Sequence, residues 1–229
     1  MLRTGTYQGT PSFRACAYPY CDPPLRGGIR ILGGGGSCTG AFLARSRSDN
    51  RLYQFTAGHC AYFGGTGTWS TRFANGELHA IGAIGDRWRL GSAGDMAIIQ
   101  VANPDGWRAR AWVNVTASSY TSANQQYPIK ADGGSWVGMR ICTTGGSYGK
   151  SDCGNVQKLG VTFTAEGITV PNLGESNVCA VSGDSGAPMF ASNTAYGLMS
   201  GGYSLCDTVY QGIHAAENAL NVNVAFDGG

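Results

Sequence analysis

Leu52-Tyr53-Gln54-Phe55-Thr56-Ala57-Gly58-His59-Cys60 is the stretch on which the reading of this chain turns. Its first five residues read as a short strand, and the small pair Ala57-Gly58 ends that run directly before a histidine and a cysteine. Outward from it, Ala41-Phe42-Leu43-Ala44, Met96-Ala97-Ile98-Ile99-Gln100-Val101 and Val137-Gly138-Met139-Arg140-Ile141 read as further strands between polar turns. The 37 glycines and recurring Ser, Thr and Asn clusters punctuate these runs as in a many-stranded antiparallel protein, and the spacing suits barrels. Only the tail, from Ile213 through Ala215, Ala216 and Ala219 to Leu220, places good helix formers at helical spacing, so one short C-terminal helix is expected.

At 229 residues the chain allows either one compact β body or two barrels. A hydrophobic fraction of 42% against 13% charged residues fits a well-buried globular protein, and a formal charge of +2 argues against nucleic acid or an anionic membrane as partner. No stretch approaches the roughly 18 consecutive apolar residues of a membrane span. Met1-Leu2-Arg3 opens no charged-then-apolar signal, so the expectation is that any export signal is already removed. Eight cysteines (Cys16, Cys21, Cys38, Cys60, Cys142, Cys153, Cys179 and Cys206) form no pair of C-x-x-C knuckles, so they read as disulfides and not as a metal site. Closing a loop the size of 38 to 60 contributes roughly 3 kcal/mol in the chain-entropy model. An even count implies an oxidising compartment, and the protein is placed outside the cell. Residues 1–30, with four prolines and the close pair Cys16 and Cys21, read as an N-terminal extension; 31–118 and 119–229 read as an N-terminal and a C-terminal barrel.

Gly183-Asp184-Ser185-Gly186-Ala187-Pro188 has the chemistry of an exposed nucleophile. Its glycines permit a tight turn that projects the Ser185 hydroxyl and gathers amide N–H groups, with Gly183 and Ser185 as the candidate oxyanion donors. A hydroxyl nucleophile needs a base, and of three histidines His59 alone adjoins a strand end and a disulfide residue; His79 and His214 read as surface or structural. The imidazole needs a carboxylate partner. Asp95 opens the apolar strand 96–101 and reads as that group, whereas Asp86, between Gly85 and Arg87, reads as a turn residue.

Thr56-Ala57-Gly58-His59-Cys60, Gly94-Asp95-Met96-Ala97 and Gly183-Asp184-Ser185-Gly186 together, and in this order, resemble the triad motifs of chymotrypsin-like serine peptidases. Asn177-Val178-Cys179-Ala180 and Gly197-Leu198-Met199-Ser200-Gly201-Gly202 resemble the bacterial streptogrisin and alpha-lytic branch, and the likeness covers residues 31–229. The resemblance implies an all-β, trypsin-like fold of two six-stranded antiparallel barrels with the active site in the cleft between them. It also implies disulfides Cys38–Cys60, Cys142–Cys153 and Cys179–Cys206, leaving Cys16 and Cys21 to each other. By it, Ser200 hydrogen-bonds the triad aspartate, Ser200 to Gly202 pair with the substrate backbone, and Ala180, Met199 and the Gly201-Gly202 backbone wall an apolar specificity pocket. A secreted, monomeric serine endopeptidase follows, acting on protein or peptide substrates after apolar residues, with no cofactor. A catalytically silent binding module and an esterase using the same triad are the readings from other classes.

Two departures stand out. The bacterial branch places an arginine just after the cysteine matching Cys142, where it holds the aspartate before the serine; here that residue is Thr143, so Asp184 needs another partner, Arg140 or a new amino terminus. Arg30-Ile31-Leu32-Gly33-Gly34 resembles the activation site of animal trypsin-like zymogens, yet Cys38 follows Ile31 by only seven residues. That is a tether of about 25 Å, much shorter than those enzymes use, and a disulfide-closed arm packed on the barrel is the preferred reading of residues 1–30. Asn114-Val115-Thr116 fits a glycosylation acceptor but reads better as a strand end.

Overall fold

A computed structural model describes residues 23–73, 75–115 and 125–228. The proposed Cys16–Cys21 bridge lies outside them.

The N-terminal half comprises β1 (Ile29–Gly33), β2 (Gly36–Gly40), β3 (Leu43–Ser46), β4 (Leu52–Thr56), α1 (Gly58–Gly64), β5 (Thr68–Arg72), β6 (Leu78–Ala83), β7 (Trp88–Arg89), β8 (Met96–Gln100), α2 (Pro104–Trp107) and β9 (Trp112–Val115). The C-terminal half comprises β10 (Gln125–Pro128), β11 (Ala131–Asp132), β12 (Arg140–Thr144), β13 (Ser151–Ala165), β14 (Ile168–Ser176), β15 (Pro188–Ala191), β16 (Thr194–Ser204), β17 (Asp207–Gly212), α3 (Ile213–Leu220) and β18 (Val222–Val224).

In the first half, β2-β1-β5-β6 and β18-β3-β4-β8-β7 are hydrogen-bonded sheets. They join where β2 runs on into β3, with Ala41 N–H donating to the Phe55 carbonyl, and where Ala102 N–H donates to the Ile81 carbonyl. The circuit β1, β2–β3, β4, β8, β6, β5 is therefore a six-stranded barrel. In the second half, β12-β13-β14-β17-β16-β15 closes directly, because β15 pairs with β12 and β16 with β17. Closure leaves neither barrel a long open edge.

The apolar run of β8 lacks alternation because both its faces are covered. Ala97 and Ile99 join Ile31, Leu43, Trp69 and Ile81 inside the first barrel, while Met96 and Ile98 meet Phe42, Phe55, Phe190 and Leu198 between the halves. Helix α3 contributes Ile213, Ala216 and Leu220, one stripe at helical spacing, to that central cluster, and ends at Asn221 in the left-handed conformation. Each fully buried large aliphatic or aromatic side chain contributes about 1.5–3 kcal/mol.

Two features differ from the sequence expectation. Two further short helices, α1 and α2, accompany α3. The strand expected over 137–141 begins only at Arg140, because Gly138 takes a turn conformation at φ +86° and Val137 is exposed. The peptide bond after Arg30 lies in mid-strand, with Arg30 opposite Thr39 and Ile31 opposite Cys38, and Ile31 is wholly buried. Upstream of β1, Leu25 is buried and Gly27 N–H donates to the Trp112 carbonyl, so the chain is already packed against β9 there.

Candidate active site

Helix α1 follows β4 directly, and its N-cap, Ala57, supplies no side-chain hydrogen bond. Asp95 does so from across the barrel: its Oδ1 accepts the His59 backbone N–H at 2.8 Å, satisfying one of the orphan amides of the first turn. Its Oδ2 lies 2.8 Å from His59 Nδ1. A carboxylate only accepts, so the shared proton sits on Nδ1 and the Nε2 lone pair is left free. Ser200 Oγ–H donates to the same Oδ2, and Gln211 Oε1 accepts the Asp95 backbone N–H at 3.0 Å. The cost of burying Asp95, 1% exposed, is thus offset by three donors to its carboxylate. The Cys38–Cys60 disulfide fixes the residue after His59. Burial pulls the His59 pKa down, but the hydrogen bond and charge of Asp95, aided by Glu166, outweigh it and hold the imidazole above its ordinary 6.5.

Ser185 sits in a turn between Val181 and Pro188 that is docked from several sides. Its carbonyl accepts Thr39 N–H at 2.8 Å, and Gly186 N–H donates to the Met199 carbonyl at 2.7 Å. At Gly186, φ is +83° and a Cβ would lie 2.6 Å from the Thr39 carbonyl oxygen, so only glycine fits. Gly183, at φ +94°, likewise needs the left-handed region. Neither Gly183 N–H nor Ser185 N–H has an acceptor among the described residues. Both residues line one cleft of about 490 Å³ with His59, Asp95 and Ser200.

Asp184, buried in this turn, needs neither Arg140 nor a new amino terminus. Its Oδ1 accepts the Ser147 and Tyr148 backbone N–H groups at 2.7 and 3.1 Å, and its Oδ2 that of Val181 at 2.9 Å. Arg30, whose guanidinium donates to Ser147 Oγ at 2.9 Å, adds a favourable charge. Burial nonetheless dominates and raises the Asp184 pKa, against those amides and Arg30. The Thr143 hydroxyl, where the family arginine would begin, donates instead to the Pro188 carbonyl.

A second cavity of about 190 Å³ opens beside Ser185, walled by Ala180, Val181, Met199, Gly201, Gly202 and Thr208. The Cys179–Cys206 disulfide and an Ala180 N–H bond to the Leu205 carbonyl hold its rim. Cys142–Cys153 spans β12 and β13. Backbone bonding along this side of β16 ends at Met199, so among the described residues Ser200 to Gly202 present an unpaired edge there.

The remaining histidines stand apart. His79 stacks on Phe73 at 3.6 Å, and His214 bonds Asp132 at 2.9 Å. Asp86 lies exposed in a turn. Sequence reasoning missed Gln211, Thr39 and the Ser147 and Tyr148 amides; no local pattern marks them, since each acts through a contact made only in the fold. It also missed the β13–β14 hairpin, whose Phe163, Glu166 and Ile168 line the main cleft.

No family model matches the chain. It is 32% identical over 189 residues to serine protease 2 of Streptomyces fradiae, spanning 80% of this chain and 98% of that one. It is 30% identical to streptogrisin-A of Streptomyces griseus, over 88% of this chain but only 61% of that relative. A solved glutamic acid specific serine protease, which uses a histidine triad in substrate binding, superposes with a TM-score of 0.70 at 26% identity, over 88% of this chain and all of its own. By fold, by motif and by these likenesses, the chain belongs to the bacterial chymotrypsin-fold serine endopeptidases of the streptogrisin/alpha-lytic protease branch.

Proposed function

We propose that this chain hydrolyses peptide bonds through Ser185, His59 and Asp95, cleaving after apolar residues, and that it works as a secreted enzyme. One observation carries the reading: the Asp95 carboxylate accepts hydrogen bonds from His59 Nδ1–H and the Ser200 hydroxyl in the cleft that Ser185 lines. With Nδ1 so engaged, His59 Nε2 takes the Ser185 proton as Oγ attacks the scissile carbonyl, and Asp95 stabilises the imidazolium that results. The oxyanion is received by the unpaired N–H groups of Gly183 and Ser185; one such donor supplies about 2.7–4 kcal/mol. His59 then protonates the departing amine, and water hydrolyses the acyl-enzyme by the same base.

The acyl-side chain of the substrate adds a strand to the open edge at Ser200 to Gly202. Its P1 side chain enters the cavity between Ala180 and Met199, which contains no charged residue. The solved glutamic acid specific relative uses histidines in binding substrate; this cavity has none, which favours an apolar P1. Three disulfides among the described residues suit an oxidising, extracellular site of action.

The test is labelling of the intact protein with a phosphonofluoridate serine reagent and mass mapping, followed by cleavage of a P1 peptide library. Modification at Ser185 alone, lost in Ser185→Ala, together with cleavage after Phe, Leu or Met, is the expected result. Absence of labelling overturns the enzymatic reading, and preferred cleavage after charged residues overturns the pocket assignment.

A further inference from the structure

The main cleft is roofed by the tip of the β13–β14 hairpin, and the tip is charged. Ala165 pairs with Ile168 across the two-residue turn Glu166-Gly167, in which both residues have positive φ, +51° and +77°. This two-residue geometry fixes the tip relative to its strands. Below the tip, Phe163 lies against the substrate-pairing strand: a Cβ on Gly201 would come within 3.0 Å of its ring. Phe163 also meets Tyr203 edge-on at 5.1 Å. Leu90, from the first barrel, packs with Phe163 and Ile168 against the cluster of Val170, Leu173 and Val209, so the hairpin is braced from both barrels.

Among the residues lining this cleft, only His59, Asp95 and Glu166 are ionisable acids or bases. The charge of Asp95 is buried and engaged with His59 and Ser200, whereas Glu166 is exposed and makes no hydrogen bond or ion pair among the described residues. The lining contains no lysine or arginine. A peptide paired along Ser200 to Gly202 would run beside Phe163, with its acyl-side side chains toward the tip that lines the same cleft. Glu166 also helps hold the His59 pKa up, which marks it as electrically close to the reacting centre.

We propose that Glu166 is a specificity-determining residue, giving this cleft a preference for a lysine or arginine one or two positions before the P1 residue. The inference rests on the proposed peptidase reading and adds a second, charge-based selection to its apolar P1 pocket. The hairpin walls hold the alkyl stem of the basic side chain, and the carboxylate meets its head.

The test uses six succinyl-tetrapeptide p-nitroanilides with Phe at P1, three carrying Lys, Ala or Glu at P2 and three carrying them at P3. At low salt the Lys-to-Ala ratio of kcat/KM should be about two- to fivefold at one of the two positions, the scale of an exposed charge pair. It should shrink at high salt. Glu166→Gln should bring the ratio to about one, and Glu166→Lys should invert it in favour of the Glu peptide, an inversion that a merely structural role would not produce. Binding of the same peptides to Ser185→Ala, followed by fluorescence polarisation of labelled copies, reads the preference without catalysis. Failure of the peptidase reading is thereby separated from failure of this one. Equal ratios for wild type and Glu166→Gln, or a Glu166→Lys protein that still favours Lys, would overturn the proposal.

Discussion

Replacing Asp95 by asparagine exchanges one carboxylate oxygen for an NH2 group, opposite three known hydrogen-bond donors. An asparagine there has one acceptor oxygen and one NH2 group. If the NH2 took the Oδ1 place it would face the His59 backbone N–H, two donors in contact. If it takes the Oδ2 place, the oxygen keeps that N–H, the Ser200 hydroxyl turns round to accept, and His59 Nδ1 must become an acceptor. The second arrangement keeps every hydrogen bond and wins. Its consequence is that the imidazole proton moves to Nε2, the atom that should take the proton from Ser185. The fold loses little while the base is switched off, and the expected loss in kcat/KM is about 10⁴-fold. At 1.36 kcal/mol per tenfold this is about 5.4 kcal/mol of transition-state stabilisation. The assay is hydrolysis of an apolar-P1 peptide p-nitroanilide, with thermal unfolding run alongside. A variant within tenfold of the wild type and with unchanged Tm would refute both the tautomer argument and the role given to Asp95.

Four other outcomes follow from the same contacts. Ser200→Ala removes one donor to Asp95 and should cost about 1–1.5 kcal/mol, roughly tenfold, in kcat/KM of the same peptide. Since the base must be neutral and the His59 pKa is raised, activity should rise with pH through a midpoint above 6.5, read from the acid limb of kcat/KM. Asp184→Asn should lose the Val181 bond, a deficit of at most about 3 kcal/mol. Because the folded-state pKa of Asp184 lies above its unfolded value, its contribution is fully present below the unfolded pKa and falls as pH rises through the folded one. The stability gap between wild type and variant, measured by denaturant titration, should therefore narrow from pH 3 upward. Phe55→Ala, at a wholly buried position between the halves, should cost about 3–5 kcal/mol in the same titration.

How much of this was legible depended on whether a feature is local. The run 96–101 reads as a strand because apolar residues carry the signal whichever face they serve, and α3 reads correctly because its Ile213–Leu220 stripe faces a single cluster. Helix α1 is invisible in the sequence, since Gly58 and Gly64 at its ends disfavour a helix; it persists because Asp95 caps it and Cys38 tethers it. The same contrast holds in the site. His59, Asp95 and Ser185 each sit in a short motif that a turn or strand end requires, so they stand out one by one. Gln211 and Thr39 are ordinary strand residues until the barrels close, and the Ser147 and Tyr148 amides carry no side-chain signature at all.

The missing arginine after Cys142 makes the same point about Asp184. A buried carboxylate in this turn needs positive potential, and a sequence reader looks for it in side chains or in a freed terminus. Backbone N–H groups supply part of it when a loop is bent to present them, and here they oppose a burial cost that still dominates. Gly145 and Gly146 allow that bend: a Cβ at Gly145 would lie 2.1 Å from the Asp184 carboxyl carbon, so the loop approaches closely enough for the next two amides to donate. With three amides in place, the turn that holds Gly183 and Ser185 has no use for an amine released at Ile31. That residue is moreover wholly buried and paired opposite Cys38 in the middle of β1. The uncut fold therefore does not require Arg30-Ile31 to be an activation site. The geometry of the nucleophile turn is built into the uncut chain.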